Sequence, residues 1–236
     1  MNTNSELVSY LYNNRAIHSN RVIKVMNDVN RRDFTNTQVL YDRPEKLILK
    51  QTISAPSIHG RALEMLLANC VPGNRVLDIG CGSGYLTACF MRLLQVDTNK
   101  QSKVVGIDIY SGLVKLSKKN LLKNHTKFLP PSVVEGGTNT NNNVRIECGN
   151  GWKGYKMKGY NKYDVIHVGA SSNKVPQDLL DQLNNNGIMI IPIGNQYRVI
   201  KKNRHGEIYS ENILNVRFVP LIKESENENR NEECIF

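Results

Sequence analysis

Hydrophobic and polar positions along the chain follow two periods, and together they predict alternating helices and strands. Apolar residues recur at helical spacing between Ser5 and Arg32, which predicts two short helices at the start of the chain. Further on, short apolar runs alternate with amphipathic segments, and this β-α-β order predicts a doubly wound α/β sheet. Outside the glycine-rich turn described below, the pattern predicts helices over 56–69, 111–120 and 176–183 and strands over 103–108, 144–148, 163–168, 187–193 and 197–201.

The length of 236 residues fits one catalytic domain with a substantial core, which we place at residues 1–223. Two prolines, two glycines and an asparagine tract predict a low-complexity surface insertion at 124–143. The acidic, asparagine-rich residues 224–236 predict a disordered tail. We divide the domain into an N-terminal helical and loop region over 1–55, with the loop at 35–53, a core over 56–195 and C-terminal strands over 196–223.

The segment VLDIGCGSGYLTACF, residues 76–90, joins an apolar strand to a glycine-rich turn and then to an amphipathic helix. Glycines at alternate positions leave the turn with little Cβ bulk, so an adenosine-bearing ligand can approach the backbone closely. The spacing is G-x-G-x-G, whereas dinucleotide sites usually have G-x-G-x-x-G, and this difference favours S-adenosylmethionine as the cofactor. A tight strand-to-helix turn can also need glycine for structural reasons alone. The candidate cofactor residues of the turn are Gly80, Gly82 and Gly84.

Two aspartates flank this motif. Asp108 ends the strand over 103–108, where its carboxylate can accept hydrogen bonds from both ribose hydroxyls of the cofactor. It could equally serve as the N-cap of the following helix, and the two roles are compatible. Asp78 lies nearer the turn, where it could bind the turn's amides or face the cationic end of the cofactor. A structural role and a ligand role for Asp78 are equally open.

Three other short segments carry candidate functional groups next to predicted strands or helices. Residues 51–59 combine hydroxyls and an imidazole in a loop, although Ser54 or Ser57 could simply cap the next helix. Asn150, after the third strand, suits the adenine edge, and the neighbouring Trp152 is more typical of a core or rim position. The fourth strand ends in His-Val-Gly-Ala at 167–170, whose small residues would leave space over a reactive methyl group, and its histidine is most simply a structural residue.

Charge and cysteine usage narrow the class of protein. The formal charge of +10 invites a nucleic-acid partner, but the basic residues are scattered, and attraction for acidic peptides explains the charge equally well. The five cysteines form no C-x-x-C pair, so they predict neither a disulfide framework nor a metal site, and most should be reduced. The sequence has neither a membrane-spanning apolar stretch nor a signal-peptide pattern. We therefore expect a soluble, monomeric, cytoplasmic protein that binds neither membranes nor nucleic acid.

Together these motifs closely resemble the protein-L-isoaspartate O-methyltransferase family, over residues from about Ser5 to Lys223. TISAP together with IHVGA is specific to that family, while the glycine motif is shared by class I methyltransferases in general. The resemblance implies a Rossmann-like class I fold and transfer of a methyl group from S-adenosylmethionine to the free α-carboxylate of L-isoaspartyl residues in damaged proteins, leaving S-adenosyl-L-homocysteine. The resembling segments are TISAPSIHG (52–60), LDIGCGSGYLTACF (77–90), GID (106–108), GNGWKGY (149–155), YDVIHVGA (163–170), VPQDLLDQL (175–183) and FVPL (218–221).

The resemblance also implies roles for individual residues. Ser54 matches the family's active-site hydroxyl. Several departures occur: asparagine replaces the usual aspartate at 150, serine replaces a common histidine at 57, isoleucine replaces a threonine at 222, and Lys46–Leu49 lacks the usual Pro-Ile-Gly. The cofactor contacts implied are Thr52, Ile53, Ser54, His59, Asp78, Gly80, Gly82, Ser83, Gly84, Asp108, Ile109, Asn150 and Gly151, and the substrate contacts are Ser54, Ala55, Val168, Gly169 and Val219.

The expected chemistry is consistent with these residues. A carboxylate is anionic at neutral pH and a sulfonium methyl is already activated, so the transfer needs alignment and desolvation more than a general base. Alternatives are an RNA or small-molecule methyltransferase on the same fold, or a binding domain that keeps only the fold. This sequence has neither the N-P-P-Y motif nor the Pro-Cys nucleophile of RNA methyltransferases, which disfavours the first alternative. Retention of Asp108 and all three glycines disfavours a binding domain without activity.

Overall fold

The structure is a computed structural model that describes residues 1–37, 40–125, 143–157 and 159–222. Its first elements are the helices α1 (Asn4–Asn13) and α2 (Asn20–Asp28), followed by a short 3-10 helix, η1 (Arg31–Phe34). The Thr3 side chain caps α1 by accepting a hydrogen bond from the Glu6 amide. Both α-helices bury one apolar face, as the helical spacing of this region predicts.

Within the described residues, the centre of the fold is a seven-stranded sheet in the order β5-β4-β3-β6-β7-β8-β9. Neighbouring strands from β5 to β7 are parallel, and β8 and β9 continue the sheet as antiparallel strands. This confirms the predicted doubly wound class I methyltransferase fold. The strands are β3 (Arg75–Ile79), β4 (Lys103–Asp108), β5 (Val144–Cys148), β6 (Tyr163–Val168), β7 (Leu183–Ile193), β8 (Gln196–Lys202) and β9 (Ile208–Asn215).

Helices cover both faces of this sheet. Successive residues of a strand point to opposite faces, so a continuous apolar run makes both faces apolar, and both must be buried. Val76 packs with the apolar residues of the N-terminal helices on one face, while Leu77 packs with Leu179 on the other. Both faces of the central strands are therefore buried, which explains their continuous apolar runs. The remaining helices are α3 (Pro56–Leu66), α4 (Tyr85–Leu93), α5 (Ser111–Asn124) and α6 (Gln177–Gln182).

Several boundaries differ from the predictions. The expected loop over 35–53 contains a small antiparallel hairpin, β1 (Glu45–Lys46) and β2 (Thr52–Ile53). Strand β9 lies within the C-terminal strands predicted over 196–223, but its bounds were not predicted, because its residues are largely exposed and show no apolar alternation. The predicted strand at 187–193 begins earlier, at Leu183, and its pairing with β6 is shifted at that end. Most of the predicted insertion and the whole predicted tail lie outside the described residues.

Two other expectations concern cysteines and membranes. Cys70, Cys81 and Cys89 are free and buried, as expected. Cys148 differs, because it is disulfide-bonded. None of the helices in the described ranges is long and apolar enough to cross a membrane. The monomeric state and the cytoplasmic location stay predictions.

Candidate active site

A cleft opens at the carboxyl ends of β3, β4 and β6, where ligands commonly bind in open α/β sheets. Two adjoining cavities form it, and both are bordered by Thr52, Gly80, Gly82 and Gly169. The N-terminal region, the glycine turn and the C-terminal segment therefore meet at one place. The cleft is lined by the sequence-predicted residues Thr52, Ile53, Ser54, His59, Asp78, Gly80, Gly82, Ser83, Asp108, Ile109, Gly151, Gly169 and Val219.

The glycine turn takes its shape from hydrogen bonds to the neighbouring strand. The amides of Gly80 and Cys81 both donate to the carbonyl of Ile107, at 2.8 and 3.0 Å. Gly84 has φ of +85°, and a Cβ on it would lie 2.3 Å from the Ser117 hydroxyl. A side chain at this position is excluded both by conformation and by space. Gly84 does not line the cleft but shapes the turn, and its predicted contact with the cofactor stays a prediction.

Backbone amides hold the Asp108 side chain in place beside the glycine turn. Its two carboxylate oxygens accept hydrogen bonds from the amides of Gly82, at 3.0 Å, and Tyr110, at 3.1 Å. The side chain is only 6% exposed, yet it borders the cleft. Burial raises the pKa of this carboxyl to about 6, against the lowering effect of the backbone amides. Asp108 is not the N-cap residue of α5, because that position is held by Tyr110, whose side chain makes no cap hydrogen bond.

Asp78 is engaged by neighbouring side chains. One oxygen accepts a hydrogen bond from the Thr87 hydroxyl at 2.5 Å, and the other lies 2.8 Å from Nδ1 of His167. Asp78 is 1% exposed, although both it and His167 border the cleft. A fully buried carboxylate requires such partners, so this geometry supports the structural role that the sequence left open. The predicted contact between Asp78 and a cofactor stays a prediction.

Ser54 lies on the cleft between β2 and α3. The alternative that Ser54 or Ser57 caps this helix is wrong, because the cap residue is Ala55 and makes no side-chain cap. Instead the carboxylate of Asp42 accepts the amide of Ser57 at 2.8 Å. Among the described residues, no hydrogen bond engages the Ser54 hydroxyl, which leaves it available to a ligand.

His59 contacts Arg31, a residue that the sequence did not single out. Arg31 is 1% exposed, and its guanidinium lies 3.2 Å from Nδ1 of His59 and donates to the Ser54 carbonyl at 2.6 Å. The His59 ring stacks on Tyr85 with a centroid distance of 5.1 Å. Burial first, and the Arg31 charge next, place the pKa of His59 well below its ordinary value. His59 is therefore a neutral imidazole at neutral pH.

The C-terminal segment, residues 219–222, borders the cleft together with the N-terminal region. Val219 lines the cleft, but its carbonyl already accepts the Ser171 amide at 2.7 Å. The Trp152 indole donates to the carbonyl of Leu221 at 2.9 Å, which ties this segment to the turn after β5. Residues 218–221 form no regular strand and make only an isolated bridge with Ser171. The segment with the family motif FVPL is therefore held by hydrogen bonds with Ser171 and Trp152 rather than by a regular strand.

Some residues predicted for the site do not themselves line the cleft, although their neighbours in sequence do, and their predicted contacts stay predictions. Asn150 borders an adjacent groove rather than the cleft, and its side chain accepts the Trp152 amide at 2.9 Å. Ala55 and Val168 do not line the cleft, and the Val168 side chain is buried in the core. Further lining residues that we did not assign to the site are Gln51, Ile79, Cys81, Tyr85, Leu86, Tyr110, Leu113, Gly149, His167, Ala170, Pro220, Leu221 and Ile222.

This chain is similar to the members of one enzyme family over nearly its whole length. The sequence profile of the family described as protein-L-isoaspartate(D-aspartate) O-methyltransferase matches residues 2–226. A protein-L-isoaspartate O-methyltransferase of Caenorhabditis elegans is 39% identical over 233 residues, which are 97% of this chain and 96% of the relative. Protein-L-isoaspartate O-methyltransferase 1 of Arabidopsis thaliana is 34% identical over 226 residues, covering 94% and 92% of the two chains.

Solved structures show the same similarity. A protein-L-isoaspartate O-methyltransferase of Plasmodium falciparum, in complex with S-adenosyl-L-homocysteine, superposes with a TM-score of 0.83 at 28% identity. The match covers 95% of this chain and 100% of the other. A second protein-L-isoaspartate O-methyltransferase, at 21% identity and a TM-score of 0.69, has the same fold and covers 92% of this chain and 65% of that one.

Proposed function

Because the chain belongs to the protein-L-isoaspartate(D-aspartate) O-methyltransferase family, it is an S-adenosylmethionine-dependent protein repair enzyme, and we propose how its cleft performs the transfer. The observation that carries the proposal is that Asp108 and Ser54 each line one of the two adjoining cavities that form the cleft. Asp108 binds the cofactor and Ser54 orients the substrate carboxylate. The two ends of the reaction therefore depend on two different parts of the chain.

The cofactor side of the cleft fits an adenosine-bearing ligand. Gly80 and Gly82 present backbone without side chains, and the Asp108 carboxylate is buried at the cleft with acceptor lone pairs beyond its two amide bonds. A buried carboxylate with a raised pKa is stabilised by hydroxyl donors such as those of a ribose. The Plasmodium falciparum protein was solved in complex with S-adenosyl-L-homocysteine, which supports the proposal that the methylated form of that ligand binds in this cleft. S-adenosylmethionine supplies the activated methyl group.

The substrate side is built around Ser54. Its free hydroxyl can donate to the carboxylate of an isoaspartyl residue, and His59, neutral with Nδ1 facing Arg31, can offer Nε2–H beside it. A carboxylate oxygen attacks the methyl carbon while the carbon–sulfur bond breaks, so the substrate gives up no proton. The residues need only align the carboxylate and exclude water, which explains a site without a nucleophile and base pair.

Methyl transfer to matched acceptors tests this function. The acceptors are a peptide with one L-isoaspartyl residue, the same peptide with normal aspartate, and an RNA, each incubated with methyl-labelled S-adenosylmethionine. We expect label in the isoaspartyl peptide only, as an ester that releases methanol in mild base. Equal labelling of the two peptides, or label in the RNA, would overturn the assignment.

A further inference from the structure

A buried arginine outside the cleft connects two of the residues that line it. Arg31 begins η1 in the N-terminal region and does not border the cleft. Its two terminal nitrogens contact different groups, the carbonyl of Ser54 and Nδ1 of His59. The guanidinium carbon also lies 5.4 Å from the centroid of the Tyr85 ring, on which His59 stacks. The Arg31 guanidinium thus contacts the loop at Ser54, the ring of His59 and the ring of Tyr85.

The chemistry of the contact fixes the proton on His59. A guanidinium has donors and no acceptor, so the Nδ1 atom that it faces must be the unprotonated nitrogen of the ring. Arg31 stays charged at neutral pH, since burial lowers its pKa only to about 10. The proton of neutral His59 is therefore on Nε2. Other titratable groups near His59 are Tyr85 on α4 and His167 on β6, and His167 is itself paired with Asp78.

We propose that Arg31 is a positioning residue for the methyl transfer, which holds the Ser54 loop in place and keeps His59 as the Nε2–H tautomer facing the cleft. Lysine cannot replace it, because a single ammonium cannot donate in a planar fork to both groups at once. This proposal rests on the function proposed for Ser54, since Arg31 acts through that residue and His59.

Three variants test the proposal. Arg31→Met removes the charge and the hydrogen-bond donors. Arg31→Lys keeps the charge, and it serves as the test if Arg31→Met does not fold. Arg21→Met is the matched control, because Arg21 also ties the N-terminal helices to backbone carbonyls, those of Leu67 and Cys70, at a distance from the cleft. The readouts are kcat and KM on isoaspartyl peptide and the ¹⁵N NMR shifts of His59 from about pH 5 to about pH 8, the range of histidine titration. His59→Gln assigns the signal.

In the native protein we expect the His59 shifts of a neutral Nε2–H ring across this range. Arg31→Met and Arg31→Lys should lower kcat by roughly tenfold or more, as expected for a misplaced reacting geometry, with a smaller change in KM. In Arg31→Met, His59 should populate the Nδ1–H tautomer and titrate at higher pH. Arg21→Met should change neither readout.

The proposal is overturned if His59 keeps its native tautomer and titration in Arg31→Met, or if Arg31→Lys retains native kcat. It is also overturned if Arg21→Met lowers kcat as much as the Arg31 variants, because the effect would then be general tethering. Absence of methyl transfer in the native protein would instead contradict the proposed function, while the NMR readout still reports on the Arg31 and His59 contact.

Discussion

The cofactor half of the cleft and the N-terminal half are built in different ways. The cofactor half consists of β3, the glycine turn and the end of β4, and its contacts include the hydrogen bond from the Gly82 amide to the Asp108 carboxylate. Most of these contacts involve backbone amides. The N-terminal half depends on side chains that reach between loops, such as Arg31 to Ser54 and Asp42 to Ser57. One half is held mainly by hydrogen bonds from backbone amides, the other mainly by side chains.

This difference predicts that the two halves respond separately to substitution. Ser54→Ala should lower kcat on isoaspartyl peptide by about a hundredfold, because one oriented donor in a desolvated site contributes about 3 kcal/mol to transition-state stabilisation. Affinity for S-adenosyl-L-homocysteine should be nearly unchanged. Steady-state kinetics and calorimetry measure the two quantities. Ser57→Ala is the control, since its side chain does not line the cleft, and equal losses in both variants would remove Ser54 from the reaction.

Asp108→Asn should have the opposite pattern. Hydrogen bonds to a charged acceptor contribute roughly 1.5 to 3 kcal/mol, so the dissociation constant for S-adenosyl-L-homocysteine should rise by about tenfold to a hundredfold. Turnover at saturating cofactor should change much less. Asp164→Asn is the matched control, because Asp164 also accepts a backbone amide, that of Arg75, at the start of β3. An unchanged dissociation constant in folded Asp108→Asn would exclude the ribose contact.

Asp42→Ala should affect stability and not cofactor binding. Loss of the carboxylate that accepts the Ser57 amide removes the cap of α3 and should lower the free energy of unfolding by about 1 kcal/mol. Urea denaturation measures this change. Asp28→Ala, which breaks an exposed pair with Lys24, should cost less than about 0.5 kcal/mol. If Asp42→Ala is no less stable than Asp28→Ala, the helix does not need this cap.

The smallest effect concerns pH. Burial raises the pKa of Asp108 to about 6 in the free protein. Ribose hydroxyls donate to the ionised carboxylate, so binding favours the deprotonated form and lowers that pKa. Affinity for S-adenosyl-L-homocysteine should therefore be constant above about pH 7 and fall as the pH decreases through 6, by at most tenfold per unit. In Asp108→Asn, the affinity for S-adenosyl-L-homocysteine measured by calorimetry should not change with pH between about 5 and about 7.

The same contrast explains what the sequence could predict. The glycine turn, Asp108 and the parallel strands follow from short spacings and apolar periodicity, and apart from the earlier start of β7 the structure has them where predicted. Arg31 was not identified, because an arginine in a polar stretch has no local signal that it will be buried against a histidine twenty-eight residues later. The hairpin at 45–53 was missed because its strands are only two residues long. The predicted contact of Asn150 with the cofactor stays a prediction, and the sequence did not show that its side chain also accepts a hydrogen bond from the amide of Trp152.

A crystal structure with S-adenosyl-L-homocysteine and an isoaspartyl peptide tests the central claim most directly. We expect both ribose hydroxyls within about 3 Å of the Asp108 carboxylate and the isoaspartyl carboxylate within about 3 Å of the Ser54 hydroxyl, the usual lengths of such hydrogen bonds. The peptide carboxylate should then face the cofactor sulfur across the space beside Gly169. A ribose bound away from Asp108, or a peptide carboxylate that does not contact Ser54, would contradict the division of roles between the two halves of the cleft.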